Sequence, residues 1–498
     1  MAEEIEIKLA LPAAAHRAFL RHPLLKQAER LATHKLANRY YDTPDLALQR
    51  KGIALRTRRQ GRRWLQTVKC AGTASGGFAL RPEWEQSYAG YFDFAGIDDR
   101  RVRELLERHR LRSHLDAVFE TQFTRSSWRL RRAGGSRVLL MLDRGWIEAG
   151  GRREAISEIE IELESGTTDA LFDIALALAA DLPLHPAVLS KAERGYRLRL
   201  DAPLQPVKAT RSPLHAGQTP AQAFHAIAAA CITQLQLNAL GAAAADPEFI
   251  HQMRVALRRL RCAMRIFRPA LPGDFEAAVA PQFRMLAGTL GRARDWDVLA
   301  TEIVAPARAA FAGDARLDAL ELAVGLARQQ ARGAAQQALA APALAAALLD
   351  FKARLQRAGS GAAGKTTRAL AARRLARLHK TALALARAAR HPDAQRLHAL
   401  RIGVKRLRYA VEFFAPLYRA AAVRDVVNTL AGLQETLGAL NDLACAGSLL
   451  AQCIEAQPQL REAVVLTGGW HGPRHANLCR RVPQDIARLL RLERFWKD

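Results

Sequence analysis

The sequence predicts two domains of different fold class: an antiparallel β domain over residues 1–200 and an all-α domain over residues 218–498, joined by a linker at 201–217. In the first region, short runs alternate polar and apolar residues, which is typical of half-buried strands. In the second, Ala, Leu, Arg and Gln recur with apolar spacings of three and four, which predicts helices. Prolines at 203, 206 and 213 mark the change. A chain of 498 residues is also too long for one ordinary domain.

The charge is strongly positive and unevenly distributed. The chain has 75 Lys and Arg against 48 Asp and Glu, a formal net charge of +27. Residues 1–200 contain 34 basic and 26 acidic residues, a balance of +8, which leaves +19 for the second region. Because half of the residues are apolar, the chain is not a disordered basic tail protein. A surplus of this size attracts anions over long range, so we expect an anionic partner.

The six cysteines form no CxxC pair, which argues against a disulfide framework or a Cys-rich zinc module and favours a reducing compartment. The N-terminus is acidic where a signal peptide would be basic. The Ala-rich stretch 333–349 is interrupted by Gln336, Gln337 and Pro342, so no transmembrane helix is predicted. We therefore expect a cytoplasmic protein with no membrane partner.

Charged residues alternate with apolar ones in the predicted strands. Glu4, Glu6 and Lys8 share one face of an N-terminal strand. Further carboxylate rows lie at Glu83 and Glu85 and at Glu158, Glu160, Glu162 and Glu164. Burying such rows would cost several kcal/mol without a partner, so cations must face them. Other predicted strands supply Arg56, Arg58, Lys69 and Arg125.

Paired carboxylates bind hard divalent cations through oxygen, whereas Arg and Lys bind phosphate oxygens. Both sets in one sheet predict a metal–polyphosphate site. The alternative is a solvated strand face with cross-strand salt bridges, which is the usual reason for a single row of charges. The recurrence of charged rows on several strands favours the site.

The ordered motifs of residues 1–200 resemble the CYTH domain, the triphosphate tunnel metalloenzyme family. They are Glu4-x-Glu6-x-Lys8, Tyr40-Tyr41-Asp42-Thr43-Pro44, Gly52-Ile53-Ala54-Leu55-Arg56-Thr57-Arg58, Lys69, Glu83-x-Glu85, Arg125, Asp143-Arg144-Gly145, Ser157-Glu158-Ile159-Glu160-Ile161-Glu162-Leu163 and Ser190-Lys191-Ala192-Glu193-Arg194-Gly195-Tyr196. The first motif alone is a weak pattern, but the ordered set is specific. One departure is Glu164, since many relatives have Lys in the segment before Gly166.

The resemblance implies an eight-stranded antiparallel tunnel that hydrolyses a triphosphate with Mg²⁺ or Mn²⁺ as cofactor. The implied catalytic residues are Glu4, Glu6 and Lys8. The implied metal ligands are Glu4, Glu6, Glu83, Glu85, Asp143, Glu160 and Glu162. The implied substrate-binding residues are Lys8, Arg56, Arg58, Lys69, Arg125, Lys191 and Arg194. In-line hydrolysis of a triphosphate requires charge neutralisation rather than a protein nucleophile, which suits this set.

Residues 359–366 match the pattern GxxxxGK[ST] of a phosphate-binding loop. Such a loop must follow a strand and open a helix in a βαβ unit. Here the preceding residues 343–358 are Ala- and Leu-rich and helical in pattern. We interpret this segment as a flexible linker between helical units.

The second region contains an internal repeat at an offset of 147 residues, with Asp246 matching Asp393 and Asp295 matching Asp442. Within each copy, an apolar stripe is accompanied, one residue further on, by a row of basic residues that begins with a histidine. The rows are His251, Arg254, Arg258 and Arg261 in the first copy and His398, Arg401, Lys405 and Arg408 in the second. This predicts two copies of one helical unit, about 218–355 and 366–495, related by a pseudo-twofold axis.

Two such rows could flank a groove that binds a linear polyanion. The alternative is a solvated face of an Arg-rich helix. The row breaks in the second copy, where Glu412 stands opposite Arg265 of the first. The two histidines have no carboxylate or thiolate at ligand spacing and therefore make a poor metal site.

This region resembles the CHAD domain through the motifs His251-x-x-Arg254-x-x-x-Arg258-Arg259-Leu260-Arg261 and His398-x-x-Arg401-x-x-x-Lys405-Arg406-Leu407-Arg408. The resemblance implies two four-helix bundles and binding of inorganic polyphosphate, and the CYTH–CHAD order is that of bacterial inorganic triphosphatases. The leading hypothesis is therefore an inorganic triphosphatase whose helical domain binds polyphosphate, localising the enzyme on polyphosphate granules or feeding chain ends to the tunnel. Alternatives are adenylate cyclase or thiamine triphosphatase activity, or a non-catalytic nucleic-acid-binding protein. Against the last, only 6% of the residues are aromatic and no recognition-helix motif is evident.

Overall fold

The computed structural model describes residues 2–70, 73–75, 78–359, 366–390 and 393–496. It consists of two compact units, Met1–Leu204 with Ala340–Ala353 and Gln205–Leu339 with Arg354–Asp498. Residues 360–365 of the segment that resembles a phosphate-binding loop lie outside the described residues.

Eight long strands of the first unit close into an antiparallel ring. They are β1 Ala2–Ala10, β2 His34–Asp42, β3 Ile53–Gln60, β4 Arg63–Cys70, β5 Phe78–Ser87, β6 Asp116–Arg131, β7 Arg137–Ala149 and β8 Arg152–Ser165. Neighbours follow the order β1-β8-β7-β6-β2-β3-β4-β5, and pairing of β5 with β1 closes the ring. The short strands Glu29–Arg30, Thr73–Ser75 and His185–Pro186 bring the sheet to eleven strands. The predicted antiparallel class is confirmed.

The period of two separates an apolar outer face from a charged inner face. On β1, Ile7 and Leu9 are fully buried and belong to one hydrophobic cluster with the helix α1, Asp169–Asp181. The alternate residues Glu4 and Lys8 line the inside of the ring. The outer face is therefore the hydrophobic core of this unit, which leaves the inside free to carry charge.

A second helix, α2, spans Lys191–Leu200 and begins with a capping box formed by Ser190 and Glu193. Gly195 lets this helix pack closely, because a Cβ there would lie 2.2 Å from the Phe119 ring. This close approach places Lys191, at the first turn of α2, among the buried charges of the ring. The remaining helices of this unit are short: His16–Leu20, Pro23–Lys26, Ala47–Arg50, Arg100–Leu106 and His109–Arg112.

The second unit is helical and repeats its elements. The first set is α3 Pro220–Ala239, α4 Glu248–Phe267, α5 Phe275–Val298 and α6 Ala315–Ala340. The short helix Ala305–Ala310 precedes α6, and α7, Pro342–Gly359, follows it. Residues of α7 up to Ala353 belong to the first unit. The second set is α8 Thr367–Ala388, α9 Ala394–Phe414, α10 Ala420–Ala456 and α11 Arg461–Leu490. The helices of the second set begin 145 to 147 residues after those of the first, in agreement with the sequence repeat.

Helix α10 is, within the described residues, the one helix whose length and composition would allow it to cross a membrane, with a mean hydropathy of 1.3 over its most apolar window. Core helices of soluble proteins meet the same criterion, so this is weak evidence for a membrane span. The helix packs against α9 and α11 and contributes Leu450 and Cys453 to a core that also contains Leu317 and Leu320 of α6.

Candidate functional site

The ring of strands encloses a cavity of about 670 Å³ whose wall is mostly charged. An eight-stranded barrel is just wide enough to hold one small ligand, and this volume lies within the usual range of ligand pockets. The basic side chains on the wall are Lys8, Arg56, Arg58, Lys69, Arg125 and Lys191. The acidic ones are Glu4, Glu83, Glu85, Glu160, Glu162 and Glu193. Most of the residues predicted from the sequence therefore converge on one cavity.

One guanidinium group of the wall, that of Arg58, is poorly balanced by carboxylates. Burial lowers the pKa of Arg58 to about 10, and repulsion from Arg56 and Arg125 adds to this effect. The Arg58 Nε donates a hydrogen bond of 2.9 Å to Asn38 Oδ1, whereas the Glu85 carboxylate lies 3.8 Å from Arg58 Nη1. An anion bound beside these guanidinium groups would relieve their mutual repulsion.

Another part of the wall carries excess negative charge. Strands β1 and β8 are neighbours, and their register places Glu6 opposite Glu162. Burial raises the pKa of Glu162 to about 7, and repulsion from Glu4, Glu160 and Glu6 contributes. Burial likewise raises the pKa of Glu6, whose carboxylate lies 2.9 Å from Lys8 Nζ but accepts no hydrogen bond within the described residues. The carboxylates of Glu6 and Glu162 therefore have too little positive charge near them, and a divalent cation would supply it.

Lysine side chains link the carboxylates around the cavity. The Lys69 ammonium donates hydrogen bonds of 2.7 and 2.8 Å to the two carboxylate oxygens of Glu4, and its Nζ lies 2.9 Å from Glu83. The Lys8 ammonium lies 3.3 Å from Glu160. These contacts fix the side chains before any ligand binds.

A second ion network, between β6, β7, β8 and α2, leaves little room for a metal. The carboxylates of Asp143, Glu158 and Glu160 are close enough together to hold a metal ion. However, Lys191 Nζ contacts all three, at 2.7 Å from Asp143 and 2.9 Å from Glu160. Arg125 also donates two hydrogen bonds to Asp143, of 2.8 and 2.7 Å. A lysine ammonium thus occupies this triad.

Three of the predicted residues are not on the cavity wall. Glu6 is 1% exposed, Asp143 is fully buried under Lys191 and Arg125, and Arg194 bonds to Glu154 at 2.7 Å and Glu158 at 3.3 Å. The assignments of Asp143 as a metal ligand and of Arg194 as a phosphate ligand stay predictions, which these pairings do not favour.

Two residues of the network were not among the predicted site residues. Glu158 accepts a hydrogen bond from Lys191 Nζ. Its place in the alternating row with Glu160 and Glu162 is the sequence pattern that indicated a position on the same face of the strand. Tyr40 lines the cavity, with its hydroxyl 3.5 Å from Arg56 Nη1, and the Tyr40–Pro44 motif marked that position.

In the second unit, the basic rows of α4 and α9 meet. Burial lowers the pKa of Lys405 to about 7, and the charges of Arg258, Arg401 and Arg254 contribute. Arg254 and Arg258 come from the first repeat, and Arg401 and Lys405 from the second. We call these four residues the central cation cluster.

The positive charge of this cluster is only partly balanced. Arg254 donates to the Gly291 carbonyl at 2.8 Å and to Asp295 at 3.0 Å. The buried Nε atoms of Arg258 and Arg401 have no hydrogen-bond acceptor within the described residues. Buried donors normally have partners, and an anion bound at the cluster could accept hydrogen bonds from these two nitrogens.

The remaining predicted positions differ between the repeats. Burial, with the charges of Arg294, Arg258 and Arg254, lowers the pKa of His251 to about 4, so the ring beside the cluster is neutral at pH 7. His398 is exposed. Arg408 bonds to Glu412 at 2.8 Å, and Arg261 interacts with Arg265 and Arg284. Five of the eight predicted residues, His251 and the central cation cluster, therefore lie near one another, and the shared groove stays a prediction.

Comparison with known proteins assigns both units. The family model of the CYTH domain matches residues 2–196, and that of the CHAD domain matches residues 226–451. The inorganic triphosphatase of Haemophilus influenzae is 32% identical over 202 residues, which is 40% of this chain; the chain spans 55% of the length of that relative. The crystal structure of the CHAD domain from the plant Ricinus communis shares 33% identity with a TM-score of 0.52, covering 58% of this chain and 98% of the plant chain. The chain therefore contains a region that matches the CYTH domain, followed by a region that matches the CHAD domain.

Proposed function

We propose that the CYTH domain hydrolyses inorganic triphosphate with Mg²⁺ or Mn²⁺ and that the CHAD domain binds inorganic polyphosphate. The observation that carries the enzymatic part is the division of charge in the tunnel. At one part of the wall the guanidinium group of Arg58 is poorly balanced, and at another the carboxylates of Glu6 and Glu162 are poorly balanced. A metal–triphosphate complex offers the opposite charge to each part. The relative that is an inorganic triphosphatase supports the same substrate.

The metal would be held by Glu4, Glu6, Glu160 and Glu162. These residues fit a hard divalent cation because they offer only carboxylate oxygens and because the Glu6 carboxylate, although 2.9 Å from Lys8 Nζ, accepts no hydrogen bond within the described residues. When bound, such a cation neutralises charge on phosphate oxygens and lowers the pKa of a coordinated water.

The side chains of the chain itself hold the substrate. Arg56, Arg58 and Arg125 are placed to donate hydrogen bonds to phosphate oxygens, on which negative charge is spread during phosphoryl transfer. Lys8 and Lys69 are pre-oriented by their carboxylate partners and add charge without reorganisation. Because these side chains are largely buried, each of these interactions is stronger than at the surface.

The test is phosphate release by the full chain from inorganic triphosphate, with Mg²⁺, with Mn²⁺ and without metal. ATP, thiamine triphosphate and long-chain polyphosphate are assayed in parallel. We expect metal-dependent release, with the highest kcat/KM for inorganic triphosphate. A preference for thiamine triphosphate, or cyclic AMP formed from ATP, would replace the proposed activity. A wild-type rate in the double variant Glu4→Ala/Glu6→Ala would contradict the metal site.

Polyphosphate binding by the CHAD domain is supported by the Nε atoms of Arg258 and Arg401, which have no hydrogen-bond partner in the part of the chain that the structure describes. We expect the double variant Arg254→Ala/Arg401→Ala to lose roughly 10- to 100-fold in affinity for long-chain polyphosphate while it keeps its triphosphatase rate. The matched control is Arg419→Ala/Arg424→Ala, which removes the same charge from exposed positions of the same domain. Competition with DNA across a salt series tests the nucleic-acid alternative, which would require DNA to bind as tightly as polyphosphate.

We further propose a cytoplasmic location, with association with polyphosphate granules through the CHAD domain. The test is microscopy of a fluorescent fusion in cells that accumulate polyphosphate. The Arg254→Ala/Arg401→Ala variant should leave the granules, and a variant that remains on them would contradict this role of the domain.

A further inference from the structure

A second basic cavity, of about 300 Å³, lies in the CHAD domain where α4 turns into α5. Four arginines line it, Arg261, Arg265, Arg268 and Arg284, and Glu276 is its one carboxylate among the lining residues. The Glu276 oxygen is 3.8 Å from Arg265 Nε, which is too far for a hydrogen bond. Burial lowers the pKa of Arg261, and Arg265 and Arg284 lower it further. The positive charge of this cavity is therefore poorly balanced.

The internal repeat shows that three of the four arginines of the cavity wall have no basic counterpart in the second copy. At the offset of 147, the counterparts of Arg265, Arg268 and Arg284 are Glu412, Ala415 and Ala431. Glu412 accepts hydrogen bonds from Arg259 at 2.5 Å and from Arg408 at 2.8 Å. In the second copy, Arg419 and Arg424 replace Pro272 and Ala277, and Val423 replaces Glu276, so the two corners differ mainly in where the charges lie. Glu412 neutralises the outer end of the basic row of α9, whereas the row of α4 continues to Arg265.

The cavity also continues the basic row of α4. Arg254, Arg258, Arg261 and Arg265 follow one another at spacings of three and four and therefore share one face of the helix. The helix rises about 16 Å between Arg254 and Arg265, at 1.5 Å per residue. On α9, the corresponding path beyond Lys405 ends at the Arg408–Glu412 ion pair.

We propose that a polyphosphate chain bound at the central cation cluster extends in one direction only, along α4, and that its next phosphates bind in the cavity of Arg261, Arg265, Arg268 and Arg284. This inference rests on the proposed binding of polyphosphate by the CHAD domain. It adds a direction to the bound chain, which the duplicated motifs alone do not predict because both copies carry them. Only a long linear polyanion reaches both sites, because a triphosphate is too short to follow the row from the cluster to the cavity.

The experiment compares two variants of the full chain with the wild type by isothermal titration with long-chain polyphosphate. The first variant, Arg265→Ala/Arg284→Ala, removes two arginines from the wall of the cavity. The second, Arg419→Ala/Arg424→Ala, removes the same charge at the corresponding corner of the second copy. We expect at least a fivefold loss of affinity in the first variant and almost none in the second. The slope of log K against log salt should also decrease by about 1.4 for two lost contacts, if polyphosphate behaves like a single-stranded polyanion.

Equal losses of affinity in the two variants would overturn the proposal, because they would indicate a general effect of charge. An equal loss for inorganic triphosphate and for long-chain polyphosphate would also overturn it, since the cavity would then hold short phosphates independently. The proposed function is tested separately by the variant Arg254→Ala/Arg401→Ala. If that variant binds polyphosphate as tightly as the wild type does, the central cation cluster is not the binding site. A wild-type chain that binds no polyphosphate would refute both proposals.

Discussion

The tunnel and the central cation cluster both concentrate basic side chains, but they balance the charge differently. In the tunnel, most cations already contact carboxylates, as Lys69 contacts Glu4 and Glu83. In the cluster, the Nε atoms of Arg258 and Arg401 have no acceptor within the described residues. The tunnel therefore contains both signs of charge in fixed positions, and the cluster contains an excess of one sign.

This difference indicates different uses of phosphate binding. Buried charges are costly to desolvate, and a network of paired groups is tolerated where it holds a reaction site in a fixed geometry. A partly exposed group of unpaired cations binds a polyanion by charge and releases it as salt rises. The first arrangement suits hydrolysis of one small substrate, and the second suits reversible binding of chains of variable length.

The largest expected effect is on the negative part of the tunnel wall. Glu162→Gln removes a proposed metal ligand and should lower metal-dependent triphosphatase kcat by about 10²- to 10³-fold. The matched control is Glu164→Gln on the same strand, because Glu164 is ion-paired with Arg129 at 2.9 Å and does not line the cavity. Phosphate release measured over a metal titration checks this. Similar rates in the two variants would contradict the assignment of Glu162.

The positive part of the wall should show a smaller effect. Arg58→Ala removes one of three crowded guanidinium groups and should lower kcat/KM for inorganic triphosphate by about 10- to 100-fold, mainly through KM. Arg59→Ala is the control, because Arg59 is the next residue on β3 and its side chain is exposed. Steady-state kinetics distinguish the two. If Arg59→Ala raises KM as much as Arg58→Ala does, the anion site lies elsewhere.

Without metal, the crowded carboxylates of the tunnel should make the free energy of unfolding depend on pH. The pKa of Glu162 is raised from 4.5 to about 7 in the folded chain. The folded state therefore keeps a proton that the unfolded state loses, and the stability due to this proton falls as the pH rises from about 4.5 to about 7. Glu162→Gln does not titrate, so it should gain about 1–2 kcal/mol relative to wild type between pH 5 and pH 8, after a discount for partial exposure.

The measurement is urea unfolding in a chelator, following the transition that added Mn²⁺ shifts in the wild type. The variant should be the more stable protein at pH 8 without metal and should respond least to Mn²⁺. A stability difference that stays constant from pH 5 to pH 8 would show that Glu162 is not held among other carboxylates.

The smallest expected effect concerns the central cation cluster. With a pKa of about 7, Lys405 is largely neutral at pH 8. A bound polyphosphate would raise this pKa, so binding at pH 8 should take up close to one proton, and much less at pH 6. Isothermal titration in buffers of different ionisation enthalpy measures the uptake. Lys405→Met should reduce it, and an unchanged uptake would remove Lys405 from the binding site.

Much of this organisation could be predicted from the sequence. The alternation in β1 determines that Glu4, Glu6 and Lys8 share one face, because successive side chains of a strand point to opposite sides. The offset of 147 predicts duplicated helices, and the ordered motifs indicated both families, which the comparisons confirm. These features depend on local periodicity, which a sequence records directly.

Only the tertiary structure decided which charges meet. Ring closure brings Glu4 of β1 to Lys69 of β4, and the close packing of α2 brings Lys191 onto Asp143. Neither contact follows from a period along one strand, because each joins residues far apart in the chain. The same is true of the cluster, where burial and three neighbouring cations, rather than the motif, set the pKa of Lys405. Residue types and faces are local properties of the sequence, whereas pairing, burial and charge balance arise only when distant segments pack together.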